Sequence, residues 1–293
     1  MERGYSIRNR VKEIVVLSGK GGTGKTSIVG SFAVLAQRKV LVDCDVDAAD
    51  LYLLLNPEVK ENEEFWSGQV SIINEEKCTK CGLCQEACRF EAIEDFKVDP
   101  FSCEGCGFCY HICPVDAITM QETLSGHWFI SDTHYGPLVH ARLGIAQQNS
   151  GKLVAVVRQR AKQIAGEQSL DYIITDGPPG IGCPVISSLS GANVALLVTE
   201  PTLSGMHDLD RVIEVCRHFG VPALVCINKY DLNEENSHNI ERYCINQGVD
   251  VVAKIPFDNV VTEALVQGMP VIEFSRNGVA GQIKALWNAI SKY

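Results

Sequence analysis

The sequence predicts an α/β fold, a doubly wound and mostly parallel sheet interrupted by a small α+β insertion. Three observations predict it. Short β-branched apolar runs alternate with amphipathic stretches through most of the 293 residues, the rhythm of βα units around a parallel sheet. A Gly-rich turn separates the first such run from the first amphipathic stretch. From about Gly68 to Met120 the rhythm stops and cysteine takes over. The expected division is residues 1–67 with 121–293 as the sheet domain and 68–120 as the insertion.

Element by element, Ile14–Leu17 reads as a buried strand ended by glycines, and Ser18–Gly24 as the turn after it. Lys25–Arg38 has helical spacing, with Ile28, Phe32 and Leu35 on one side. Val40–Val42 is a second short strand, closed by Asp43. Tyr172–Thr175, Val194–Thr199, Ala223–Ile227 and Val251–Ile255 read as further buried strands. Helical stretches near 205–219, 236–247 and 259–267 separate or follow them, and Val279–Ser291 is the expected last helix. Sheets of this kind hold ligands at the carboxyl ends of their strands. In Gln121–Ser169 the pattern supports only a strand at Trp128–Ile130 and a helix near Val154–Ile164.

Bulk properties narrow the function classes. A formal net charge of −10 leaves no basic footprint for a phosphate backbone, so nucleic acid is not expected as a direct partner. The chain has no uninterrupted apolar run of about 18 residues, the length of a membrane-spanning helix. Met1–Arg10 lacks the apolar core of a signal peptide, and the expected location is the cytoplasm. The final helix, with Leu286, Trp287 and Ile290, lacks a basic polar face and is expected to pack on the core, so no stable membrane anchor is expected.

Gly19-Lys20-Gly21-Gly22-Thr23-Gly24-Lys25-Thr26 satisfies the phosphate-loop pattern G-x-x-x-x-G-K-[ST]. Glycines let backbone N–H groups turn inward onto phosphates, and the helix that follows points its positive end at them. Gly21, Gly22, Thr23, Gly24, Lys25, Thr26 and Ser27 are therefore the candidate nucleotide contacts. Lys25 is placed to reach the β- and γ-phosphates and the Thr26 hydroxyl to coordinate Mg²⁺.

Thirteen cysteines are many for a chain of this length, and eight of them lie between Cys78 and Cys113. CTKCGLCQEACRFEAI (78–93) aligns with CEGCGFCYHICPVDAI (103–118) at an offset of 25 residues, all four cysteines in register. Clustered cysteine outside a short secreted scaffold points to metal or redox chemistry. Zinc sites use two separated pairs, usually with a long spacer. Three cysteines spaced three apart with a remote fourth suit a cuboidal iron–sulfur cluster better. Cys44, Cys216, Cys226 and Cys244 fall in apolar strands or helices and read as small hydrophobes.

These residues carry two resemblances. Lys20, just inside the loop, makes Lys-Gly-Gly-Thr-Gly-Lys-Thr, which resembles the deviant phosphate loop of MinD/ParA-type ATPases and the nitrogenase iron protein. The resemblance implies a homodimer with nucleotide sandwiched between subunits, Lys20 crossing to the partner's phosphates much as an arginine finger does. Val42-Asp43-Cys44-Asp45-Val46-Asp47 looks like that family's acidic segment, which implies a water-positioning role for Asp45 and a magnesium-side role for Asp43, with Asp47 as a competitor. Asp176-Gly177-Pro178-Pro179-Gly180 resembles its second switch, Asp176 serving Mg²⁺. Asn228-Lys229 resembles its adenine-side element, with Pro256 and Phe257 near the base. The resemblance covers nearly all of 11–293 outside the insertion, and the implied ligands are ATP or ADP and Mg²⁺.

Cys103-x₂-Cys106-x₂-Cys109-x₃-Cys113-Pro114 matches the bacterial ferredoxin pattern; Cys78-x₂-Cys81-x₂-Cys84-x₃-Cys88 departs only where Arg89 replaces proline. The insertion thus resembles a two-cluster 4Fe–4S ferredoxin. In that family the fourth cysteine of each run serves the other cluster. The resemblance implies Cys78, Cys81, Cys84 and Cys113 for cluster one, and Cys88, Cys103, Cys106 and Cys109 for cluster two. Arg89 is expected to bring a cation near cluster two and raise its potential. Cys183, after the second switch, corresponds in region to a cluster-bridging cysteine of the nitrogenase iron protein, but it stands alone and reads more simply as a helix-start residue. The expected function is an ATPase whose dimer switch is coupled to electron transfer through the clusters to a redox partner. The alternatives are assistance to assembly or delivery of an iron–sulfur or mixed-metal cofactor, with a cofactor-assembly partner, and a redox-sensing positioning ATPase.

Overall fold

A computed structural model describes residues 11–144, 149–276 and 278–293. The signal-free reading of Met1–Arg10 lies outside the described residues. Along the chain, β1 (Lys12–Ser18), α1 (Lys25–Leu35), β2 (Lys39–Asp43) and α2 (Leu51–Leu55) lead into β3 (Glu58–Ile73). Short elements follow: α3 (Leu83–Glu86), β4 (Ile93–Glu94), β5 (Lys97–Val98) and α4 (Phe108–Ile112). Then come β6 (Ile118–Thr133) and β7 (Gly136–Leu143). The remainder alternates through α5 (Ser150–Glu167), β8 (Tyr172–Pro179), α6 (Cys183–Leu189), β9 (Val194–Thr199), α7 (Leu203–His218) and β10 (Ala223–Asn228). It ends with α8 (Glu234–Gln247), β11 (Asp250–Ile255), α9 (Asn259–Val266), α10 (Val271–Phe274) and α11 (Val279–Ile290). Two compact units result. One holds the chain up to Asn62, Trp128–Arg142 and Ser150–Tyr293; the other holds Glu63–His127 and Leu143–Asn149.

The first unit is built on a sheet of order β11-β10-β9-β1-β8-β2-β7-β6-β3. β1 pairs in parallel with both β8 and β9, and the parallel ladder continues to β11 on one side and to β7 on the other. The α/β doubly wound, mostly parallel architecture is therefore present. Period-2 alternation in β1 divides its side chains between two cores. Ile14 and Val16 join Phe32, Leu51, Leu286 and Trp287 in one layer. Val15 and Leu17 join Leu189, Leu209, Ile213 and Ile240 in the other. Phe32 of α1 meets Trp287 of α11 with ring centroids 5.1 Å apart, and Tyr172 meets the same indole at 5.4 Å. The apolar side of α11 (Val279, Ala280, Ile283, Leu286, Trp287, Ile290) is spent on this core.

Two sequence expectations change in detail, and one strand is new. α1 stops at Leu35, not Arg38, because Ala36 turns extended while its N–H still closes onto the Phe32 carbonyl; Arg38 then takes a φ of 49°. The strand expected at Trp128–Ile130 is the tail of the sixteen-residue β6. β7, one strand further on, completes the parallel ladder beside β2.

In the second unit the 25-residue repeat holds at the backbone as well as in the cysteines. Residues with positive φ recur in register: Lys80 (57°) with Gly105 (62°), Gly82 (84°) with Gly107 (72°), and Glu91 (53°) with Asp116 (48°). Gly82 and Gly107 each precede the short helix of their half, α3 and α4. Cys84, Ile93 and Ile118 form its small core, with Ile73, Cys88, Val98, Cys109 and Cys113 packed around them.

Candidate functional site

The first site lies where β1, β2, β8, β9 and β10 end. Gly24 sits at the junction of loop and helix with φ 91° and is the residue before α1. A side chain there would be strained in conformation and would meet the Asn228 amide nitrogen at 2.5 Å. That amide donates to the Thr23 carbonyl at 2.8 Å, while the Ser18 hydroxyl donates to the Lys20 carbonyl at 2.5 Å. The loop is thus held in shape from both sides. The amides at the start of α1, an eleven-residue helix, make a ready anion seat.

Behind the loop, Lys25 is 6% exposed and Asp176 2%. Gly177 lets β8 approach β1 closely: a Cβ there would lie 2.4 Å from Leu17 Cδ2 and 2.8 Å from the Val16 carbonyl. Burial pushes the Asp176 carboxyl up to about 6, against the opposing pull of Lys25 and of a hydrogen bond from Thr26. Its Oδ1 is buried with no hydrogen-bond partner, as is the Thr23 hydroxyl. An orphaned carboxylate oxygen near the threonine hydroxyl of Thr26 supplies the hard oxygen donors that a cation such as Mg²⁺ takes, so these residues fit that ion, while Lys25 is left for anionic phosphate.

The acidic segment resolves by burial. Asp43 is fully enclosed, its Oδ1 accepting from the Asp45 amide and its Oδ2 from the Leu51 amide, both at 3.1 Å. Burial and then the neighbouring Asp176 raise its carboxyl well above the ordinary range. Asp45 is half-buried and its carboxyl is also raised, by burial, with Lys25 opposing. Asp47 is exposed. The structure therefore gathers Lys25, Thr26, Asp43, Asp45 and Asp176 into one cluster, with Asp47 exposed at its edge beside Asp45.

Lys229 takes φ 55° and starts the turn Tyr230–Leu232. Asp231 in that turn accepts from the Phe257 amide at 2.7 Å, which ties the Asn228–Lys229 segment to Pro256–Phe257. Phe257 is 46% exposed, free to present a ring. Lys20 is folded back onto its own subunit, 3.2 Å from Glu200. Glu200 and Thr202, just after β9, escaped the sequence reading. The available signal was positional: the other residues of this cluster also stand at the carboxyl end of a strand.

The second unit contains two cavities lined by cysteine. One, of about 360 Å³, is lined by Cys88, Cys103, Cys106 and Cys109, with Arg89 and Phe90 at its wall. The other, of about 20 Å³, is lined by Cys78, Cys81, Cys84 and Cys113. Each gathers three cysteines of one run and the fourth of the other. Ser71 lies 3.0 Å from Cys109 Sγ, and the Arg89 guanidinium sits 5.6 Å over the Phe90 ring. Among the described residues, no three His, Cys, Asp or Glu side chains converge as ligands of a single metal ion. A tetrahedral zinc would draw four sulfurs to about 2.3 Å of one point; a cuboidal cluster keeps its thiolates further apart, around a body of four irons. The larger cavity has room for a group of the second kind, whereas the smaller, at about 20 Å³, has space for little more than one water. Cys44, Cys216, Cys226 and Cys244 are buried with their thiols pushed up by desolvation. Cys183 is exposed as the first residue of α6.

Fold and first site together define a P-loop nucleotide-binding protein of the parallel α/β class. Residues 14–271 match the CobQ/CobB/MinD/ParA nucleotide binding domain, and the chain belongs to that family; it is an ATPase of the MinD/ParA type. An uncharacterized protein of Methanocaldococcus jannaschii is 34% identical over 97% of this chain and 98% of its own. An iron–sulfur cluster carrier protein of Pyrococcus abyssi is 24% identical over 91% of this chain and 83% of its own. Among solved structures, the septum site-determining protein MinD of Pyrococcus horikoshii, complexed with Mg-ADP, superposes with a TM-score of 0.61 at 19% identity, covering 97% of each chain.

Proposed function

We propose that this ATPase couples a nucleotide-dependent homodimer switch to electron transfer through two 4Fe–4S clusters held in residues 68–120. The observation that carries the proposal is the sorting of eight cysteines into two cavities, each with three from one run and one from the other. In this reading the amides of Gly21–Thr26 and the start of α1 hold the phosphates, with Ser27 in the first turn. Lys25 neutralises the β- and γ-phosphates, Thr26 and Asp176 hold Mg²⁺, and Asp43 fixes the loop on the metal's side. Asp45 orients the attacking water. Lys20 of one subunit stabilises charge at the other's γ-phosphate. Asn228, Lys229, Pro256 and Phe257 form the base end. Bound clusters supply one-electron chemistry.

Anaerobic reconstitution tests this. Iron should reach about eight atoms per chain, as two four-iron clusters require. Potentials and electron-transfer rates to an artificial acceptor should then shift between protein alone, with ADP and with a non-hydrolysable ATP analogue. Iron uptake with potentials and rates indifferent to nucleotide would sink the coupling. The kinship with a cluster carrier favours a second reading, assistance to cofactor assembly or delivery. Transfer of iron–sulfur from loaded protein to an apo-acceptor, faster with ATP, would support it.

A further inference from the structure

Lys20 does not point into solvent. Its Nζ lies 3.2 Å from Glu200 Oε2 and 3.4 Å from the Thr202 hydroxyl. The other carboxylate oxygen, Oε1, is 2.5 Å from Lys229 Nζ, which also donates to the Gly22 carbonyl at 3.3 Å. One carboxylate thus bridges two ammonium groups against the phosphate loop. Its side chain is 16% exposed, and the two lysines are 32% and 30% exposed. Hydrogen bonds hold the turn that presents it. The Thr202 amide donates to the Glu200 carbonyl at 2.7 Å. The Thr202 hydroxyl accepts from the Gly205 amide at 2.9 Å and so caps α7. The Asn236 amide donates to the Pro201 carbonyl at 3.2 Å, and a Cβ on Gly205 would lie 2.4 Å from the Glu200 carbonyl oxygen.

We infer that Glu200 is a positioning residue that parks Lys20 in its own subunit, so that the lysine must leave this carboxylate before it can act across a dimer. The inference rests on the trans-acting role proposed for Lys20. Burial alone would raise the Glu200 carboxyl; Lys229 and Lys20 together outweigh it and hold the group below its usual value, so it is charged at neutral pH. A partner's triphosphate carries more negative charge than one carboxylate and can draw the ammonium off. Lys229 stays behind on Oε1, so departure of Lys20 leaves no unpaired carboxylate, the costly outcome for a partly buried charge. Glu200 therefore sets the threshold at which ATP closes the dimer.

The test uses full-length protein, with Glu200→Gln made alone and on a Lys20→Ala background. Sedimentation with a non-hydrolysable ATP analogue gives the dimerisation midpoint; acylation by an activated ester, resolved by peptide mass spectrometry, gives Lys20 accessibility. Glu200→Gln should lower the midpoint about two- to fivefold, the range of a partly exposed ion pair, and should speed Lys20 acylation similarly while leaving Lys97 unchanged. On the Lys20→Ala background it should do nothing to the midpoint. An unchanged or higher midpoint, with Lys20→Ala still abolishing hydrolysis, overturns the parking role and leaves the trans-acting lysine standing. Full hydrolysis by Lys20→Ala instead removes the trans-acting role, and the threshold falls with it. Should Glu200→Gln melt below the parent, the parent decides alone: Lys20 acylation must be slower than that of Lys97 and must quicken with salt. Equal rates at all salt concentrations overturn the proposal.

Discussion

At the scale of single residues, the site trades stability for a metal seat. Asp176 is buried with one oxygen unpaired, and its carboxyl is raised to about 6. At pH 7 it is ionised in both folded and unfolded chains, and the raised value means ionisation costs more in the fold. Asp176→Asn should therefore melt higher than the parent without nucleotide at pH 7 and lose Mg²⁺-dependent ATP hydrolysis; calorimetry and phosphate release read the two. His140 illustrates the opposite sign. Burial, then Arg142, lowers it to about 4, where Phe129 stacks on it at 5.0 Å and Ser131 Oγ lies 3.0 Å from its Nε2. The unfolded chain binds this proton near pH 6.5 and the native chain only near 4, so stability falls as pH drops through that window, by about 3 kcal/mol in all. Denaturant titrations at pH 7 and pH 4 should show the parent losing more stability than His140→Gln. Lys25, Thr26 and the cysteines were legible from spacing because their chemistry demands fixed intervals along the chain. Glu200 was not, since it meets Lys20 only through the turn after β9.

At the scale of elements, the ion pair between β1 and α5 organises the helix pair beside the end of β8. Arg158 reaches Glu13 at 2.5 Å, with side chains 6% and 3% exposed, and Lys162 takes the other carboxylate oxygen at 3.1 Å. The same guanidinium donates to the carbonyls of Ser187 and Ser190 at the end of α6. Arg158→Met would leave the buried Glu13 carboxylate with Lys162 as its cationic partner and should cost about 1.5–3 kcal/mol, the worth of a charged hydrogen bond, in denaturant titration, with Arg158→Met/Glu13→Gln recovering part of it. Element reading from sequence succeeded where burial is two-sided. β1, β2, β8, β9 and β10 are buried along nearly their whole length. It failed on β3, whose first seven residues are all exposed, because no alternation marks a strand that faces water on both sides. It also started α8 two residues late, missing Asn233, whose side chain accepts from the Asn236 amide at 2.9 Å to cap it.

At the scale of the molecule, the cysteine cavities make the proposed ligand sets testable as a crossing. Cys88 belongs by sequence to the first run and by position to the cavity of the second. Cys88→Ser should thus weaken the cluster whose other ligands are Cys103, Cys106 and Cys109, while Cys103→Ser weakens the same one. Iron should drop from about eight toward about four per chain in each single variant, and no further in the double. Loss of both clusters on combining them would show that the two cysteines serve different groups. The whole-chain architecture was legible because the βα rhythm is a long-range signal; the extent of β3 was not, because its exposed polar start carries none. The matched positive φ values have one more consequence. Lys80 does with a side chain what Gly105 does without one, and Glu91 and Asp116 share the same left-handed turn. The two halves thus share one backbone trace at these positions, as two copies of one duplicated ancestor would. An engineer can take Lys80→Gly from the 25-residue offset, but not Gly105→Lys, because a Cβ at Gly105 would lie 2.2 Å from the Gln69 carbonyl oxygen.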